Sequence, residues 1–143
     1  MSSGRKKIVF DTSTLVACCL TPEGLPKRAL IASLDRCTVV ASSDTLTELV
    51  AVLQRPKFDA WRQREQRLAF LAGYASAIEL HEPRAEVHAC RDPKDDKFLS
   101  LAMDVGATWL ISSDDDLLVL DPFEGTRILS PAAFIELLAM EAP

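Results

Sequence analysis

Short, continuously apolar runs alternate along this chain with longer stretches whose apolar residues recur every three or four positions. The short runs are Ile8-Val9-Phe10, Thr38-Val39-Val40-Ala41, Thr108-Trp109-Leu110-Ile111 and Thr126-Arg127-Ile128-Leu129. None alternates with period two, as a strand wetted on one face does. Strands apolar on both sides belong to a parallel sheet covered by helices on both faces. The longer stretches predict those helices. One runs over Leu25 to Arg36, after the turn signals Pro22 and Gly24. A second follows the caps Ser42-Ser43-Asp44, carries Leu46, Leu49, Val50 and Leu53 on one face, and ends before Pro56. A third spans Trp61 to Ile78, with Trp61, Leu68, Leu71, Ala72, Ala75 and Ile78 as its stripe. Asp92 and Pro93 open a fourth, with a body from Phe98 to Met103 that is apolar on most sides. Ser130 and Pro131 start the last, with Phe134, Leu137 and Leu138 inward. The stretch before Asp92 is a long crossover, or hides a weak strand near Ile78-Leu80.

Composition narrows the picture. The chain has 143 residues, the length of one domain, and no repeat or long linker divides it. No apolar run approaches the roughly 20 residues of a membrane span. The N-terminal Met-Ser-Ser-Gly-Arg-Lys-Lys leads into only a few apolar residues before Asp11, which argues against a signal peptide. Sixteen Lys+Arg against twenty-one Asp+Glu give a formal charge of −5, which excludes a surface basic all over but not a local basic groove. Cys18, Cys19, Cys37 and Cys90 form no C-x-x-C pair, and His81 and His88 are the only histidines, so a zinc site of the usual spacing is not expected. Cys18 and Cys19 lie in an apolar stretch, as buried free thiols do, and the expected compartment is the reducing cytoplasm.

Carboxylates remain as the abundant reactive groups. Parallel strands present their carboxyl ends at one edge, where ligands bind. Ile8-Val9-Phe10 runs into Asp11, and Trp109-Leu110-Ile111 runs into Ser112-Ser113-Asp114-Asp115-Asp116. Acids gathered there must be protonated or neutralised by a cation, and carboxylate-only ligation suits Mg²⁺ or Mn²⁺. Each acid also has an ordinary use. Asp11 fits a helix cap, and Ser113 fits a cap with Asp116 at the third position of a short helix. In Arg91-Asp92-Pro93-Lys94-Asp95-Asp96-Lys97, Asp92 caps and Asp95 favours the helix dipole, which leaves Asp96 with the least local explanation. Spacing alone makes Glu48 a solvated surface residue.

Asp11-Thr12, Ser42-x5-Glu48-Leu49, Arg91-Asp92-Pro93-x-Asp95-Asp96-Lys97-Phe98-Leu99 and Leu110-Ile111-Ser112-Ser113-Asp114-x-Asp116-Leu117-Leu118 occur in this order. Together they resemble the PIN-domain family, and within it the VapC-like toxins of prokaryotic toxin–antitoxin pairs. The resemblance implies a three-layer α/β/α fold over residues 1–143 and a metal-dependent ribonuclease acting on RNA. It implies an acidic cluster of Asp11, Glu48, Asp96 and Asp114, with Asp116 a possible fifth member. Asp11, Asp96 and Asp114 would hold the Mg²⁺ or Mn²⁺. A cognate antitoxin and a homodimer through the helices around Leu46–Leu53 and Trp61–Ile78 follow from the same likeness. Ser13 stands where the family usually has Asn, and Ser112 where it has Thr. Arg55, Lys57, Arg62, Arg64 and Arg67 form the densest basic segment, so Arg55 and Lys57 are candidate RNA contacts. Lys94 and Lys97 lie nearer the acids, where they could meet a scissile phosphate, so Lys97 is a third candidate RNA contact. Asp11-Thr12-Ser13-Thr14 also resembles a haloacid-dehalogenase loop, but Ser13 replaces the second Asp that loop needs. A phospho-receiver would need an acceptor Asp after the second strand, where Ala41-Ser42-Ser43 stands. A degenerate PIN domain that only binds a partner is the non-enzymatic alternative.

Overall fold

A computed structural model describes residues 4–84 and 86–141. Five strands form one sheet: β1 (Lys7–Phe10), β2 (Thr38–Ala41), β3 (Glu79–Leu80), β4 (Trp109–Ile111) and β5 (Arg127–Leu129). Their order is β3-β2-β1-β4-β5, and every pairing is parallel. The weak strand suspected near Ile78-Leu80 is thus a real edge strand. The helices are α1 (Thr12–Leu20), α2 (Leu25–Arg36), α3 (Ser43–Leu53), α4 (Arg64–Ala77), α5 (Asp96–Val105), α6 (Asp115–Leu118) and α7 (Pro131–Glu141).

The strands are buried on both faces because successive side chains feed different layers. Ile8, Phe10, Val39, Trp109, Ile111 and Leu129 pack with α1, α2, α3, α4 and α7. Val9, Val40, Leu110 and Ile128 pack against α5 and α6 through Phe98, Leu101 and Leu117. That is the three-layer α/β/α arrangement. Burial pushes the Cys18 thiol up to about 12, which keeps it a neutral packing group. Gly106, at φ 64, closes α5 in the left-handed conformation that glycine tolerates best. Among the described residues no helix is long and apolar enough to cross a membrane.

Three local expectations change. The helix expected over Trp61–Ile78 starts later, at Arg64, after a 3-10 turn over Pro56–Ala60. Its inward face is Arg67, Leu71 and Tyr74, whereas Leu68, Ala72, Ala75 and Trp61 are exposed. Arg67 is buried because its guanidinium donates to Asp59 at 2.7 Å and to the Arg62 carbonyl at 3.2 Å. Counting it as a surface cation rotates the predicted stripe. Asp92 and Pro93 open a 3-10 turn, Pro93–Asp95, and α5 begins only at Asp96. Asp114, not Ser113, caps α6.

The Arg67–Asp59 pair is lopsided: Arg67 is 1% exposed and Asp59 62%. Asp59→Ala strands a buried charge and should cost about 3 kcal/mol. Arg67→Met removes the charge while keeping most of the volume and should cost less. Urea denaturation of the two variants gives the order, and a larger loss for Arg67→Met contradicts it.

Candidate active site

The strand order reverses between β1 and β4, the switch point at which parallel sheets bind ligands. β1 delivers Asp11 to that crevice and β4 delivers Ser112 and Asp114. Asp11 is both N-cap and site residue. Its Oδ1 accepts from the Thr14 amide at 2.9 Å, and its Oδ2 accepts from the Ser112 hydroxyl at 2.5 Å. The Ser112 Oγ also accepts from the Asp114 amide at 2.9 Å, so one hydroxyl ties the two acid-bearing segments together. Asp114 Oδ1 accepts from the Asp116 amide at 2.9 Å.

Glu48 is not a solvated residue. Thr12 Oγ1 donates to its Oε1, and Lys97 Nζ lies 2.5 Å from its Oε2. Glu48 shares its face of α3 with Val52, one helical turn on, and both line a cavity of about 400 Å³. Thr12, Ser13, Lys94, Asp95, Phe98 and Asp114 line the same cavity.

Asp95 and Asp96 face different ways. Asp96 Oδ1 accepts from the amides of Ala89 and Cys90, at 3.1 and 2.7 Å, and its side chain lines a neighbouring pocket with Ser100. Asp95 lies in the acidic cavity, where its Oδ2 is buried and accepts from no donor among the described residues. Helical spacing carries the signal that separates them. Asp95 falls one turn before Phe98, which lines the cavity, and Asp96 one turn before Ser100, which does not. The cap rule that excuses Asp95 in the sequence assumes a helix starting at Pro93. Asp116 does not line the cavity; its amide serves Asp114 and its carbonyl accepts from Cys90 Sγ at 3.4 Å.

The candidate RNA contacts divide likewise. Arg55 and Lys57 are exposed. Lys97 is committed to Glu48 and to the Lys94 carbonyl, 2.6 Å away. Arg67 is buried, and Arg62 is half-buried with its guanidinium on the Cys19 carbonyl at 2.8 Å.

Among the described residues no three His, Cys, Asp or Glu side chains are gathered closely enough to hold a metal ion as they stand. The donor set nonetheless fits a hard cation. It is all carboxylate, and it includes one buried, orphaned oxygen on Asp95. Desolvation, then the hydrogen bond and charge of Asp114, push Asp95 up to about 7. Burial likewise raises Asp11, against the hydrogen bonds from Ser112 and Thr14. Acids crowded in this way favour a shared proton, or a cation in its place.

Known proteins resemble this chain in sequence and in fold. Residues 7–116 match the sequence model of the PIN domain family. A curated relative, the uncharacterized protein MJ1680 of Methanocaldococcus jannaschii, is 28% identical over 116 residues, covering 80% of this chain and 74% of its own. The DNA-bound VapBC of Salmonella typhimurium superposes with a TM-score of 0.59 at 20% identity, over 88% of this chain and 98% of that one. VapC20 of Mycobacterium tuberculosis, a Sarcin-Ricin loop cleaving toxin, superposes at 0.55 with 13% identity, over 84% and 98%.

Asp95 holds its proton more tightly in the folded chain than in the unfolded one. The metal-free fold therefore loses stability as pH rises from 3.8 to about 7. Melting in EDTA across that range should fall more steeply for the wild type than for Asp95→Asn. Parallel curves contradict the assignment.

Proposed function

The chain belongs to the PIN domain family, and on that premise we propose that it is a Mg²⁺- or Mn²⁺-dependent endoribonuclease, the toxin of a toxin–antitoxin pair. PIN domains are generally nucleases. The observation that carries the reading is the acidic cavity at the β1–β4 switch point, lined by Glu48, Asp95 and Asp114 from three separate segments, with Asp11 tied to Asp114 through the Ser112 hydroxyl.

In this reading Asp11, Asp95 and Asp114 hold the cation, and Glu48 completes the set. Asp96 is a positioning residue. Its grip on the Ala89 and Cys90 amides fixes the turn that aims Asp95. Mg²⁺ or Mn²⁺ bound there supplies an activated water and charge stabilisation at a phosphodiester. Thr12 and Lys97 hold Glu48 in place, and Ser112 keeps Asp11 and Asp114 in register. Arg55, Lys57 and Lys94 offer charge to the flanking phosphates, which lets an acidic protein hold a polyanion locally. Single strands and loops suit the site because their backbone can adopt an in-line geometry.

The whole chain, 1–143, acts as one nuclease domain in the cytoplasm, and the VapBC likeness supports an antitoxin partner. The homodimer belongs to the same proposal. Its interface is the helices around Leu46–Leu53 and Trp61–Ile78, on the second of which Leu68 is an exposed apolar residue that a second copy would cover.

Purified protein should cleave single-stranded RNA with Mg²⁺ or Mn²⁺ and not in EDTA. Asp95→Asn, Asp114→Asn and Asp11→Asn should each reduce cleavage more than about a hundredfold, and Asp96→Asn, acting through its neighbour, roughly tenfold. Full activity in Asp95→Asn contradicts the site. No cleavage by the wild type with either metal leaves a binding module instead. Light scattering of the same preparation should give twice 15.7 kDa; a monomer removes the dimer.

A further inference from the structure

Beside the acidic cavity lies a second one, of about 460 Å³, walled by α1 and by the segment that follows α3. Its volume falls within the range of about 300–1,000 Å³ typical of ligand-sized sites. Ser13, Val16 and Phe58 line both cavities, so the second directly adjoins the first. Its far wall is Trp61, whose indole is 69% exposed. Large aromatic side chains are usually buried, and this one is held out on a rigid support. Arg67 grips Asp59 and the Arg62 carbonyl from below, and Arg62 grips the Cys19 carbonyl of α1. Lys57, at the rim, has its ammonium 5.1 Å from the Phe58 ring centroid and no carboxylate partner among the described residues.

We propose that this cavity is a nucleobase subsite, in which a base flanking the scissile phosphate stacks on Trp61 while Lys57 meets the adjoining backbone. This rests on the nuclease reading and names how its substrate is held. A polynucleotide running through the acidic cavity must place its neighbouring base somewhere, and this cavity adjoins the acidic one across Ser13, Val16 and Phe58. Aromatic faces bind unpaired bases with little regard to sequence, and a cation beside them serves the phosphate. A duplex keeps its bases stacked and cannot offer one, so the subsite selects single strands and loops.

Trp109 is buried against Phe134, which makes Trp61 the accessible fluorophore. The cleavage-dead Asp95→Asn protein, in EDTA, is titrated with a ten-nucleotide oligoadenylate and with an abasic oligonucleotide of equal length. The oligoadenylate should quench tryptophan emission, and the abasic strand should bind more weakly without quenching. In the same background, Trp61→Ala should weaken oligoadenylate binding roughly tenfold with an unchanged salt slope, and Trp61→Phe should restore most of it. Lys57→Ala should flatten the salt slope and leave the quenching. Oligoadenylate that binds without quenching overturns the subsite and leaves the nuclease reading standing, which is judged separately by cleavage in the wild type. Quenching by a protein partner but not by RNA overturns it in favour of protein docking.

Discussion

Carboxylates can be gathered at one edge of a sheet only if each finds a donor, and the crevice between β1 and β4 is organised around that constraint. Asp11 is satisfied on both oxygens, by the Thr14 amide and the Ser112 hydroxyl. Glu48 is held by Thr12 and Lys97, Asp114 by the Asp116 amide, and Asp96 by two amides of the preceding loop. Asp95 Oδ2 is the buried carboxylate oxygen left over. Its orphan state and the upward shift of its carboxyl have one physical origin: desolvation beside Asp114. The helix-capping role of Asp11 and Asp114 does not compete with the site. Capping is what fixes their carboxylates, because a helix N-terminus supplies donors that need no side chain of their own.

The support extends outward from that crevice. Arg67 and Arg62 spend two guanidiniums beneath the segment between α3 and α4, where the sequence pattern offers little apolar mass to pack. The result is a fixed wall shared by the acidic cavity and the aromatic one. The high basic content of this stretch thus has two fates. Arg62 and Arg67 turn inward as structure, and Arg55 and Lys57 stay outside.

Much of the fold is legible in the sequence because burial on both faces leaves strands such as Ile8-Val9-Phe10 without polar alternation, and only parallel sheets do that. Asp11 and Asp114 are legible for the same reason: Asp11 directly follows one such strand, and Asp114 lies in the loop after another. Glu48 is not, because a helical wheel knows only one core, and this residue faces a polar crevice instead. Asp95 is hidden by one residue of helix phase. A 3-10 turn rather than an α-helical turn follows Pro93, and the acid with a ready local excuse becomes the one in the cavity. Arg67 misleads in the opposite sense, since its charge masks a fully buried position that only the tertiary partner Asp59 explains.

In the proposed site Asp95, aimed by Asp96, completes a cation-binding set with Asp11 and Asp114. Calorimetric titration with Mn²⁺ of the wild type, Asp95→Asn and Asp96→Asn tests it most directly. The wild type should bind saturably, Asp95→Asn should lose that binding, and Asp96→Asn should retain it with an affinity lowered by roughly tenfold. Wild-type affinity in Asp95→Asn together with lost binding in Asp96→Asn would contradict it.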